Sequence, residues 1–161
     1  MELFTSYYAN LKNISMDYAT IGISRICPDW LVGTKSPSNF YFWEDNPLAP
    51  SSDLLKKYKN GLIDQWNYSI DYFRELNQRF HFKDDGGERL RSYIDDLKRR
   101  FFDYSSIVFL CYEKPCEFCH RHLLRDLFLY NNIKITEIPV DKKEDKSRRE
   151  TSKSPSSNAL F

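Results

Sequence analysis

SIVFLCYEKPCEFCHRHLLRDLFLY, Ser106 to Tyr130, carries the strongest structural signal in this chain. Ile107, Val108, Phe109 and Leu110 form a continuous apolar run with β-branched members, which predicts a buried strand. Leu123, Leu124, Leu127 and Phe128 then recur at helical spacing and predict an amphipathic helix. Between them lies a short loop holding Cys111, Glu113, Cys116, Cys119, His120 and Arg121. The carboxyl end of a strand feeding a helix N-terminus is where open α/β sheets place ligands, because the free N–H groups there favour an anion. A thiol at such a turn can have its pKa lowered, which makes it a nucleophile at neutral pH.

On the amino-terminal side, Leu3 to Ala9 reads as a first strand, rich in Phe4, Thr5, Tyr7 and Tyr8. Asp17 to Arg25 reads as a second, in which Gly22 lets another backbone or a ligand approach closely. Cys27 to Pro50 is a long irregular stretch with four prolines and a run of aromatics, Phe40 to Trp43. A loop of that length is usually functional or a lid. Its aromatics suit either a stack on a nucleobase or a hydrophobic flap over the core. Ser51 or Ser52 caps a short helix that Gly61 ends, and Asp64 caps the next. A third helix runs from Glu88 to about Phe102, and a last strand from Ile133 to Ile138. Lys98, Arg99 and Arg100 close that third helix, where basic groups complement the dipole.

Four strands with intervening helices predict one compact α/β domain over residues 1–140, with a mixed or mostly parallel sheet. The strand–helix–strand unit from Ser106 to Ile138 should be a parallel crossover. The first two strands are separated by about eight residues, so a hairpin and a divergent pair both remain open. Beyond Val140 the chain is charged, Ser-rich and poor in apolar residues, which predicts disorder over 141–161.

The chain has 161 residues and a net charge of +1, so composition gives no argument for nucleic acid or a membrane surface. Met1 to Asn10 has neither a basic start nor a long apolar run. The expectation is a cytoplasmic protein with reduced thiols.

The segments TSYYANL (Thr5 to Leu11), IGISRICPDW (Ile21 to Trp30), LAPSSDLLKKYKNG (Leu48 to Gly61) and FLCYEKPCEFCHRHLL (Phe109 to Leu124) resemble, in order, the pattern of domain-of-unknown-function family 488. This is the YeaO-like group of bacteria and phages. The resemblance spans roughly residues 3 to 138, and its most specific part is CYEKPxEFCHRH. It implies a compact α/β fold and a site at Cys111, Glu113, Cys119, His120 and Arg121, with no assigned substrate or reaction. The chain departs from the pattern at Cys116, where relatives often have glycine, and at Phe40 to Asp45, which reads as extra sequence.

Two classes of function compete for this loop. In an enzyme, a cysteine-dependent transferase or hydrolase, Cys119 is the nucleophile and His120 the proton shuttle. Glu113 then orients His120 or serves as a second acid or base. Arg121 and Arg25 hold the anionic group of a nucleotide or nucleic-acid fragment. Ser24, Thr5 and Tyr7 add hydroxyl donors, and Cys111 ends the strand as a core thiol or lines the pocket. In a binding or interaction module, for example in a phage–host setting, the same pocket only sequesters a ligand. There Cys119 is buried, Arg121 pairs with Glu117, and Glu113 pairs with Arg25 or Arg121. A third class uses Cys111, Cys116 and Cys119 as metal ligands, with Cys27, His120 or His122 completing the set. Cys111 at the end of a buried strand and the lack of a second CxxC weigh against it. The sequence expectation is therefore no metal and no cofactor.

Overall fold

Side chains of the central strand sort the molecule into layers. The structure is a computed structural model, and it describes residues 1–33 and 36–139. The strands are β1 (Glu2–Tyr7), β2 (Tyr18–Gly22), β3 (Phe40–Tyr41), β4 (Ser106–Cys111) and β5 (Thr136–Glu137). The α-helices are α1 (Ser52–Lys59), α2 (Gln65–Phe80), α3 (Glu88–Arg100) and α4 (His120–Tyr130). The five strands form one sheet in the order β3-β2-β4-β1-β5, parallel at every pairing.

Successive residues of a strand point to opposite faces. Ile107, Phe109 and Cys111 of β4 therefore enter the core that includes Leu54, Tyr72, Leu90 and Leu124 of the four helices. Val108 and Leu110 face the other way, against Tyr8, Leu11, Ile14 and Leu31. Both faces of β4 are covered, which is why it reads as an unbroken apolar run.

The α/β expectation holds, and the sheet gains a fifth strand inside the aromatic stretch. Phe40 and Tyr41 pair with Thr20 and Ile21, a two-residue contact too short to leave a period in the sequence. Tyr41 and Trp43 pack on the main core, and the Arg100 guanidinium sits 5.4 Å over the Trp43 ring. Strands β1 and β2 do not pair with each other but flank β4. Parallel strands need a crossover rather than a tight turn. Here it contains a 3-10 helix over Tyr8–Asn13, which also stops β1 at Tyr7 rather than Ala9. The expected strands 17–25 and 133–138 are likewise shorter, at Tyr18–Gly22 and Thr136–Glu137.

The predicted caps are present. The Ser51 hydroxyl accepts the Leu54 N–H (3.1 Å), and an Asp64 carboxylate oxygen accepts the Asn67 N–H (2.8 Å). Gly61, at φ +68°, follows α1 in the left-handed region. The segment 141–161 lies outside the described residues. Among those described, no helix is long and apolar enough to cross a membrane.

Candidate functional site

An all-parallel sheet brings every strand's carboxyl end to one edge. At that edge β1 leaves through the 3-10 helix on one face, and β4 leaves through α4 on the other. The crevice between them is a topological switch point, the position at which α/β sheets bind ligands. Tyr7 stands opposite Cys111 across this crevice.

Cys119 is the N-cap of α4. Its sulfur accepts the backbone N–H of Arg121 at 3.4 Å, and its own backbone is extended. His120 and Arg121 therefore occupy the first turn, where neighbouring side chains diverge. Cys119 and His120 turn inward to Cys111. Their ligand-type atoms and the Cys111 sulfur all lie within 4.8 Å of one another, and all three residues are buried.

His120 is fixed by a hydrogen bond between Nε2 and the Ile23 carbonyl (3.0 Å). A carbonyl only accepts, so Nε2 carries the proton and Nδ1 keeps a free lone pair. Both ring nitrogens lie 3.7 Å from the Cys111 sulfur, and the Tyr72 ring packs edge-on at 5.5 Å. Burial lowers the His120 pKa to about 4, outweighing the Ile23 carbonyl and the Glu113 charge, so the ring is neutral at pH 7.

The Glu113 carboxylate is 3.3 Å from the Cys111 sulfur and also accepts from the Cys119 thiol. Burial pushes its pKa up, but these two thiols, its own backbone N–H and the nearby His120 together hold it below the usual range. Burial drives the Cys111 thiol well above its ordinary pKa, and the neighbouring Cys119 and Glu113 reinforce the shift.

The two arginines are engaged with protein groups. Arg121 is fully buried: Nη1 donates to the Glu113 carbonyl (2.7 Å), and Nη2 bonds His122 and the Glu137 carboxylate, each at 2.9 Å. Its Nε is buried without a hydrogen-bond partner. The Arg121–Glu117 pair weighed from helical spacing is replaced by this long-range pair with β5. Glu117 instead accepts the Lys114 N–H. Arg25 donates Nε and Nη2 to the Pro50 carbonyl (3.0 and 2.9 Å) and Nη1 to the Glu44 carbonyl (2.6 Å). It thereby ties the 44–50 loop to the end of β2. Neither arginine pairs with the Glu113 carboxylate.

Ser24 donates to the Ile26 carbonyl (2.7 Å), so the Tyr8 hydroxyl is the donor in its 2.6 Å contact with Ser24. Thr5 is buried two pairs short of the carboxyl end of the β1–β4 ladder, with its hydroxyl oxygen unpartnered. Tyr8, Tyr72 and Glu137 were not singled out from the sequence. Each reaches the site through a contact spanning sixteen or more positions, which no local pattern records. Cys116 is exposed, and the grouping with Cys111 and Cys119 takes His120 in its place. Two surface concavities lie at the opposite, amino-terminal edge. The one of about 270 Å³ is lined by Leu3, Arg91 and Lys98, and neither touches the thiol cluster.

No curated protein and no solved structure matches the chain. A family model described as "DUF488-N3a: Active DUF488-N3 subclade" matches residues 7–132, more than half of the sequence and all of the cysteine–histidine loop. The chain belongs to the DUF488 family of domains of unknown function.

Proposed function

We propose that this domain carries out thiol-dependent chemistry on an anionic small molecule, such as a nucleotide or nucleic-acid fragment, at the crevice between β1 and β4. The observation that carries this reading is Cys119 at the N-cap of α4, with its sulfur on a backbone N–H and against the Glu113 carboxylate. A helix N-terminus stabilises a thiolate. Glu113 takes the Cys119 proton as the sulfur attacks and returns it to the leaving group. His120, neutral and fixed by Ile23, keeps Cys111 in place beside them. The unpartnered Nε of Arg121 and the positive end of the α4 dipole receive the anion. Ser24, Thr5 and Tyr7 line the strand ends around it, and Arg25 holds the loop above. The description of the matched subclade as active accords with a working thiol.

A second reading, a binding module without catalysis, is favoured by the burial of both sulfurs, Cys111 at 2% and Cys119 at 3% exposure. Intact-mass measurement on protein purified from cells under mild conditions separates the two. An adduct mapping to the Cys119 peptide in the wild type and absent in Cys119→Ser supports thiol chemistry. A non-covalent anion retained equally by both proteins favours the binding module. An adduct on Cys111 alone overturns the assignment of the nucleophile.

A further inference from the structure

Cys111, Glu113, Cys119 and His120 form a tighter cluster than thiol chemistry alone requires. Three residues supply ligand-type atoms within 4.8 Å of one another, and the Glu113 carboxylate adds an oxygen 3.3 Å from the Cys111 sulfur. A tetrahedral zinc ion has bonds of about 2.3 Å to sulfur and about 2.0–2.1 Å to nitrogen or oxygen. Those bonds separate sulfur from its nitrogen or oxygen neighbours by about 3.5 Å. The 3.7 Å from Cys111 to His120 Nδ1 and the 3.3 Å to Glu113 both approach this separation.

We propose that Cys111, Cys119 and His120, with Glu113 as fourth donor, bind a thiophilic divalent cation, with zinc the best fit. The His120 tautomer suits the role: Nε2–H is held by the Ile23 carbonyl, so Nδ1 is the ring nitrogen left with a lone pair to ligate. A metal-bound histidine characteristically donates its second ring N–H to such a carbonyl. Two sulfurs, one imidazole and one carboxylate select zinc over the hard cations magnesium and calcium. Binding releases the two thiol protons, and no redox change occurs. Cys116, exposed and outside the cluster, is not a ligand. The site does not rest on the thiol chemistry proposed above. With the ion bound, the Cys119 sulfur is coordinated and unavailable for attack, so the metal-bound form is the inactive one.

The test is a Co²⁺ titration of the reduced, chelator-stripped full chain, followed by absorbance. Thiolate-to-cobalt charge transfer and the intense d–d bands of tetrahedral cobalt are expected to saturate at one equivalent, and one equivalent of Zn²⁺ bleaches them. Cys116→Ser retains the spectrum and Cys111→Ser loses it. Glu113→Gln, at a partly exposed position, keeps the charge transfer but shifts the d–d bands, and its Zn²⁺ affinity falls on the order of 100-fold. Circular dichroism identifies any variant that fails to fold, and the Glu113→Gln spectrum carries the test if Cys111→Ser does not fold. Absence of charge transfer in the wild type, or its loss in Cys116→Ser, overturns the site. A Cys119 adduct is read on metal-free protein, so either proposal can fail alone.

Discussion

His120 shows how one buried side chain ties the site to the stability of the fold. Its ring is enclosed by Cys111, Tyr72 and the Ile23 carbonyl, and the Ile23 carbonyl and the Glu113 charge offset only part of the loss of water around the charged form. The folded pKa of about 4 lies below the roughly 6.5 of a free histidine. Above pH 6.5 both folded and unfolded chains hold the ring neutral, and the stabilisation is complete. As pH falls from 6.5 towards 4, the unfolded chain takes up a proton that the fold refuses, so stability drops. The linkage amounts to about 3 kcal/mol across that window. Urea unfolding of the metal-free protein at pH 7 and at pH 5 should show the decline, and His120→Gln should lose this part of it. An equal decline in the variant would assign the pH dependence to other groups. The candidate residues Cys119, His120 and Glu113 were legible because they are contiguous in a strand–loop–helix unit. The partners of Arg121 were not, since Glu137 is joined to it only through the sheet.

Gly22 closes β2 at the edge of the crevice, and its role was half visible in the sequence. A glycine inside a strand predicts a close approach. What approaches is a pair of side chains: a β-carbon there would sit 2.6 Å from the Tyr8 hydroxyl and 2.8 Å from Phe42 Cδ2. Tyr8 is buried and hydrogen-bonded to Ser24, so it cannot yield without breaking that bond. Gly22→Ala is therefore expected to destabilise the fold by about 1–3 kcal/mol in denaturant unfolding. The largest perturbation should fall on the Tyr8–Ser24 contact. An unchanged midpoint would mean that the Phe42 loop moves aside at no cost. The elements themselves were read well wherever a periodic stripe or a cap marked them, as in α1, α2, α3 and β4. The two-residue strands β3 and β5 escaped or were overextended. Their pairing is set by neighbours from distant parts of the chain, and too few residues take part to leave an alternating pattern.

Across the whole molecule, the Arg121–Glu137 pair couples the loop, α4 and the edge strand β5. Arg121 is fully enclosed, Glu137 is one-fifth exposed, and His122 and Arg125 also face the Glu137 carboxylate, at 3.5 and 3.9 Å. Burial pushes the Glu137 pKa up, but the bond to His122 and the Arg121 charge outweigh it and leave it below the usual carboxylate value. A depressed carboxylate stabilises the fold fully above its unfolded pKa and loses that contribution as pH falls through the folded value. The relevant window therefore lies below about pH 4.5. Removing the charge strands a buried guanidinium, which costs about 3 kcal/mol, near the low end for a buried pair because Glu137 is partly solvated. Glu137→Gln should be destabilised by that amount at pH 7, and its deficit against the wild type should shrink as pH falls below about 4.5 and the native carboxyl takes up its proton. A gap that does not narrow with falling pH would assign Glu137 a packing role. Narrowing would show that one ion pair holds the candidate site to the edge of the sheet.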